Sequence, residues 1–417
     1  MTMSNKGKFV GGTFLIAGTS IGAGMLALPV LTSAGGFFPS LVLYFFCWMF
    51  MAMTGLLFLE ACVWMGDSAN FITMTKVILG DRAAKITSIL YLGLFYCLSL
   101  AYIVGGAQLV VSFTGGTLPH WMGAIIFAVI LAPVVCRGAG TVGNVNIVLV
   151  VGLVLSYMVF VYFGFGEVKS DNLQHSSWYN ALLAMPVVFT SFAYQNVIPS
   201  LITYLDRDYS KVKWAIIIGS FIPFIIYAIW EWLILGIVPV YGVNGLLHTL
   251  EKGGTAVQSL QLHLENTWIL SIGQLFAFLA LVTSFLGVTL GLKDFLTDGL
   301  KIQVEKMGQP LIWFLVFIPP LIGAIACPYA FLSALNYAGG YGCALLLGVL
   351  PIIMVGYGRY VLKKESEFTL PGGKFLLFVL LLFVSIELCL ETAQELGWTK
   401  VSSETETQIF LLEEESS

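Results

Sequence analysis

Residues Gly18–Pro29 read GTSIGAGMLALP, inside an apolar run from Phe9 to Ala34 that is long enough to cross a bilayer. Gly18, Gly22 and Gly24 fall within it, with Thr19 and Ser20 beside them and Pro29 below. Each glycine costs a helix about 1 kcal/mol relative to alanine. In hydrocarbon an open backbone is tolerated only where protein buries it or a wet cavity meets it. The stretch therefore predicts a helix that breaks in mid-membrane, with a binding site at the break.

The composition agrees with a membrane setting. Of 417 residues, 58% are hydrophobic and 10% are charged, with a mean hydropathy of +0.93. Soluble domains carry about 25% charge. Long runs free of charge recur along the chain, so it reads as an all-α polytopic membrane protein in contact with the lipid bilayer. The net charge of −4 comes largely from an acidic tail, and no basic patch suits a nucleic acid. The seven cysteines stand at apolar positions with no CxxC pair, which predicts small core residues. Lys6 and Lys8 precede a first run too long and too rich in glycine for a cleaved signal, so that run is expected to stay as the first span.

Several function classes are excluded. The histidines His120, His175, His248 and His263 all fall in or beside outer loops, and there is no HExxH, GxSxG or P-loop. An enzyme and an ATP-driven pump are therefore not expected. A channel would want rings of polar residues, and no stretch supplies them. No metal, organic cofactor or obligate protein partner is expected.

Eleven spans are predicted, at about 9–34, 38–62, 86–113, 121–137, 143–164, 180–205, 214–237, 266–292, 309–327, 330–357 and 373–391. With the N-terminus in the cytoplasm, 16 of the 19 Lys and Arg residues fall on the inner side. Only Lys169, Lys252 and Lys400 fall outside. A wrong span count would scramble that alternation. The expected organisation is a ten-helix core over 1–358, as repeats of about 9–164 and 180–357. Residues 359–417 add helix 11 and an acidic, periplasmic, poorly ordered tail containing Glu404 and Glu406.

A weak repeat links the halves. The sixth span contains TSFAYQNVIP, Thr190–Pro199, and the first contains TSIGAGMLALP, Thr19–Pro29. Both pair Thr-Ser with helix-unfriendly or polar residues and then a proline. The segments lie five spans apart, so they cross in opposite directions. Broken segments at corresponding places in two inverted halves point to the site of a secondary transporter.

At these segments the chain resembles the hydroxy and aromatic amino acid permeases of bacteria, the tyrosine-specific branch above all. MPVVFTSFAYQNVIPSLITYL in the sixth span, TSFLGVTLGLKDFLTDGL in the eighth and LNYAGGYG in the tenth share in the likeness. The resemblance implies a permease of the bacterial inner membrane that takes up an aromatic amino acid, most closely L-tyrosine, by proton symport. It also implies the five-plus-five inverted fold of the leucine transporter, with broken helices 1 and 6, plus one further helix. Tryptophan or serine/threonine as cargo, and sodium as the coupling ion, are the alternatives within that fold.

The expected site starts at Ser20, Gly22, Ala23 and Gly24. There the freed N–H groups and the positive end of the second half-helix suit an α-carboxylate. The same glycines would also serve a GxxxG packing seam. On the sixth span, carbonyls near Phe192, Ala193 and Tyr194 suit the substrate ammonium. Gln195 or Asn196 would meet a side-chain hydroxyl or indole N–H, and either would equally serve bonds to neighbouring helices. By likeness to the fold, Tyr102 on the third span closes over the substrate, with Tyr91 and Tyr96 as competitors. By the same likeness, Thr283 and Ser284 stand where sodium-coupled relatives bind an ion. Asn336 and Tyr337 are candidates for an outer gate.

Few acids lie deep enough to carry a proton. Glu60 ends the second span, and Glu387 is late in the eleventh. Glu231 lies 18 residues past Lys213, about 27 Å along a helix, which predicts an aromatic-belt position between Trp230 and Trp232.

Overall fold

The computed structural model describes residues 5–65, 70–242, 244–261, 263–264, 267–299 and 309–399. The predicted tail, with Glu404 and Glu406, and the basic residues Lys301, Lys306 and Lys400 lie outside them.

The first span breaks as its glycines require. Helix α1 (Asn5–Ser20) stops at Ser20, α2 (Gly24–Thr32) starts at Gly24, and the two axes are bent by 53°. The span ends in a tight turn at Gly36, whose φ of 79° suits glycine. A side chain there would run into the His175 carbonyl. The last carbonyls of this span are satisfied across the chain: His175 Nε2 lies 2.8 Å from Ala34 O, and Ser177 N–H donates to Gly35 O at 2.8 Å.

The next helices are α3 (Phe37–Val63), α4 (Phe71–Leu79), α5 (Asp81–Phe113), α6 (His120–Cys136) and α7 (Ala139–Gly164). Asn70 caps α4 by accepting from Thr73 N–H at 2.8 Å. The sixth span is cut into α8 (Trp178–Leu182), α9 (Met185–Ser191) and α10 (Ile198–Tyr204), with a 3₁₀ turn over Gln195–Val197. Helix α11 (Tyr209–Ile237) starts at Asp208, which accepts from Lys211 N–H at 3.1 Å. The Lys211 ammonium, and after it that backbone bond, hold the Asp208 carboxyl below the usual carboxylate range.

Two short helices, α12 (Leu246–Glu251) and α13 (Ala256–Leu260), fold the long connection over the end of α2. Helices α14 (Thr267–Gly299) and α15 (Gln309–Ala326) follow. The tenth span is α16 (Phe331–Tyr337), a π-helical stretch over Ala338–Val349, and α17 (Leu350–Tyr360). Helix α18 (Gly373–Glu395) is last.

Among the described residues, eight helices are long and apolar enough to cross a bilayer, and the bent α1–α2 pair makes a ninth. The 17-residue α6 and the broken α8–α10 segment complete the eleven. The two breaks thus fall in spans 1 and 6, the first of each group of five, and α18 stands outside both groups.

The end of the bundle at the foot of α3 and α17 is tied by charge. Glu60, fully buried at the end of α3, is gripped by the Arg359 guanidinium of α17 through both oxygens. It also accepts from Leu370 N–H at 2.9 Å, while Arg359 donates to Leu370 O at 2.9 Å. A lighter tie joins the feet of the two broken spans. Lys8 Nζ meets Asp206 at 2.6 Å, with side chains 30% and 64% exposed.

The cysteines correct the core expectation in part. Cys47, Cys62 and Cys343 are buried, but Cys136, Cys327 and Cys389 are exposed on the protein surface. An apolar position on a membrane helix faces lipid as readily as core, and cysteine is tolerated in both.

Candidate functional site

The first break is Ile21–Ala23 and the second is Phe192–Tyr194. Helices α2 and α9 cross closely: a Cβ on Gly24 would stand 2.6 Å from Ser191 Oγ and 3.2 Å from its Cα. Glycine is required there by approach, not by backbone angle.

One hydroxyl joins the two breaks. Tyr227 on α11 lies 2.6 Å from Ser20 O and 2.9 Å from Ser191 O. These are the last residues of α1 and α9, whose carbonyls the breaks leave without helical partners. A phenol has one hydrogen, so it serves one carbonyl at a time. Its ring also packs edge-on against Phe192, with centroids 5.2 Å apart.

Ser284 on α14 completes the first break by accepting from Ala23 N–H at 3.2 Å. A Cβ on Gly22 would run into that Oγ. Tyr102 on α5 is buried and faces both Ser284 and Tyr227. The other tyrosines of α5 turn elsewhere: Tyr96 donates to Leu315 O at 2.9 Å, and Tyr91 packs among Phe71, Phe95 and Phe295.

Ser20, Gly22, Ala23, Gly24, Tyr102, Phe192 and Ser284 therefore converge on Tyr227. The others do not. The Tyr194 hydroxyl donates to Met51 O at 3.1 Å. Gln195 Nε2 reaches Met51 O at 3.3 Å and Thr54 Oγ1 at 3.4 Å, and Gln195 Oε1 accepts from Tyr194 N–H at 3.0 Å. Both side chains turn into the seam with α3, so the Gln195 amide is engaged by protein and not offered to a substrate. Ala193 is half-buried and Asn196 is exposed. Thr283 donates back to Ala280 O in its own helix at 3.0 Å, so the hydroxyl pair is split between two jobs.

Asn336 lines a pocket of about 370 Å³ beside Leu31, Gly253 and Tyr329, with its Oδ1 lacking a partner. Tyr337 points the other way and stacks on Tyr341. Exposure around the breaks is one-sided. Gly18, Asn196 and Gly287 are exposed on the side of α1, whereas Ala23 to Val30 are buried under α12 and α13.

Glu231 departs from the belt position. It is fully buried, and Thr32 and Tyr44 donate to its two oxygens at 2.6 and 2.7 Å. Its height along α11 was legible, but its direction was not: it points inward and fastens the end of α2 to α3. Sequence reasoning missed Tyr227 altogether. The available signal was its spacing of four from Glu231, which puts two polar groups on one face of an apolar helix.

Gly22→Ala is expected to lower the initial rate of uptake more than tenfold by pushing Ser284 off Ala23 N–H. In Gly22→Ala/Ser284→Ala the nearest remaining serine atom is Cβ at 3.5 Å, an ordinary contact. The double variant should therefore recover part of the loss in a double-mutant cycle of uptake rates. Additive losses would show that the two residues do not meet.

Two broken spans whose half-helices meet inside a bundle of apolar helices, with exposure on one side, fit a membrane transporter. Residues 5–390 match the tryptophan/tyrosine permease family, and the chain belongs to it. Among its relatives, tyrosine-specific transport system 1 of Haemophilus influenzae is 34% identical over 381 residues, covering 90% of this chain and 94% of the relative. A tryptophan-specific transport protein of the same organism is 29% identical over 417 residues, covering 95% and 99%. The fold is also that of a manganese transporter from Eremococcus coleocola, with a TM-score of 0.63 at 12% identity over 97% of this chain and 90% of that one.

Proposed function

We propose that this permease imports L-tyrosine together with protons across the bacterial inner membrane, by alternating access to a site between the two breaks. The N-terminus lies in the cytoplasm and the C-terminus in the periplasm, a reading supported by the 16 inner Lys and Arg residues. The observation that carries the proposal is the Tyr227 hydroxyl held between Ser20 O and Ser191 O. It gathers the open backbone of both half-helices at one point.

In this reading the substrate carboxylate takes N–H groups of Gly22, Ala23 and Gly24 at the start of α2. The ammonium takes carbonyls at Phe192–Tyr194, and Tyr102 covers the ring. Asn336 guards the outer pocket, with Tyr337 behind it. The proton is favoured over sodium because Ser284 already accepts an N–H and Thr283 is turned into its own helix. Moving one charge through 100 mV provides about 2.3 kcal/mol, or roughly fifty-fold accumulation.

Tryptophan is the second reading, favoured by the tryptophan-specific relative that spans nearly the whole chain. Purified protein in proteoliposomes tests both. Labelled tyrosine should accumulate under an inward proton gradient and not under a sodium gradient alone. Accumulation of tryptophan in preference to tyrosine would overturn the cargo, and a sodium requirement would overturn the ion.

A further inference from the structure

Helix α18 lies outside the two groups of five, yet it carries Glu387, Glu391 and Glu395 four residues apart on one face. Glu395 is exposed and accepts from the Tyr341 hydroxyl at 2.6 Å. Glu391 is 4% exposed and lies against Gly340, where a Cβ would come within 2.7 Å of its carboxyl carbon. Glu387 is fully buried, and neither of its oxygens has a partner among the described residues.

Among the described residues, the surroundings of Glu387 offer no cation. It faces Cys47 of α3, Cys343 of the π-helical stretch and Glu391 of its own helix. Helix α9, which also packs on α18, contributes no titratable group, and the Arg359 of α17 is held by Glu60. A hard metal ion wants several oxygen ligands, and apart from Glu391 these neighbours are thiols. An unpaired charged carboxylate is costly in such a place, whereas a proton neutralises it. One turn before Glu387 on α18, Phe383 packs against Phe50 and Phe189, whose rings stack on each other.

We propose that Glu387 binds the coupling proton, and that Glu391 and Glu395 lead it in from the periplasmic solution. The proton passes from water to the Glu395 carboxylate, then to Glu391, then to Glu387, each step spanning one helical turn and bridged by water. This rests on the proton symport proposed above. The link to the substrate site is a single backbone. Gly340 presses on Glu391, while its neighbour Gly339 presses on Pro186 O and Thr190 Oγ1 of α9, the half-helix that ends at the break. Thr190 also donates to Leu335 O at 2.9 Å. A change of charge on the acids thus bears on α9 through the widened part of the tenth span.

The test is labelled tyrosine transport in proteoliposomes, measured as exchange at equal pH and as accumulation under an inward proton gradient. Glu387→Gln should still exchange tyrosine but lose gradient-driven accumulation at least tenfold, and Glu391→Gln should slow accumulation several-fold. Undiminished accumulation in Glu387→Gln overturns the proposal. If Glu387→Gln neither exchanges nor accumulates, Glu387→Asp decides: recovered accumulation supports a proton-binding role, and an inactive protein overturns it in favour of a packing role. A wild-type protein that ignores the proton gradient would instead defeat proton symport itself.

Discussion

Tyr227→Phe is expected to cut tyrosine uptake roughly tenfold to a hundredfold while leaving a folded protein. The substitution removes one oxygen and keeps the ring that packs on Phe192. Ser20 O and Ser191 O then lose their shared donor at the ends of α1 and α9. A buried acceptor left without its partner costs about 1–3 kcal/mol, and about 1.4 kcal/mol is a factor of ten. The cost falls where the two half-helices must hold a common geometry, so it should appear in substrate binding and turnover. Initial rates of labelled uptake at matched protein levels, with a thermal melt beside them, separate this from misfolding. Uptake at the wild-type rate would show that the bridge has no part in transport.

The largest effect on stability is expected from Glu60→Ala. It leaves the Arg359 guanidinium and Leu370 N–H facing an emptied, buried position. Breaking a buried pair by removing one partner costs about 3–5 kcal/mol, because the other charge stays behind. The melting temperature in detergent should fall sharply. Glu60→Leu/Arg359→Met, which removes both charges and keeps the volume, should lie much nearer the wild type. If the single and double variants melt together, the pair contributes through shape and not through charge.

The two breaks were legible because they are made of residue types that no lipid-buried helix tolerates without cause: Gly22 and Gly24 in one segment, and adjacent Tyr194, Gln195 and Asn196 in the other. The roles of those polar residues were less legible. Gln195 sits in a single 3₁₀ turn, and the face of that turn that meets α3 is decided by packing, which leaves no trace in local composition. Glu231 shows the same limit. Counting residues along α11 gives its height, but burial is set by azimuth, and only the neighbouring Thr32 and Tyr44 fix that. The widened winding at Ala338–Val349 was not foreseen either. It becomes intelligible once α9 and α18 are seen pressing on opposite sides of Gly339 and Gly340.

The two halves of the first span are anchored by different means. The end of α2 is locked to α3 and α11 through Thr32, Tyr44 and Glu231, all sealed from water. Helix α1 lies along α11, where Gly219 meets Thr13 and Ile16, and its foot carries the Lys8–Asp206 contact, a solvated pair of the kind that contributes about 0–1 kcal/mol and loosens with salt. Polar bonds thus fix α2 in place, whereas α1 is held mainly by packing against α11.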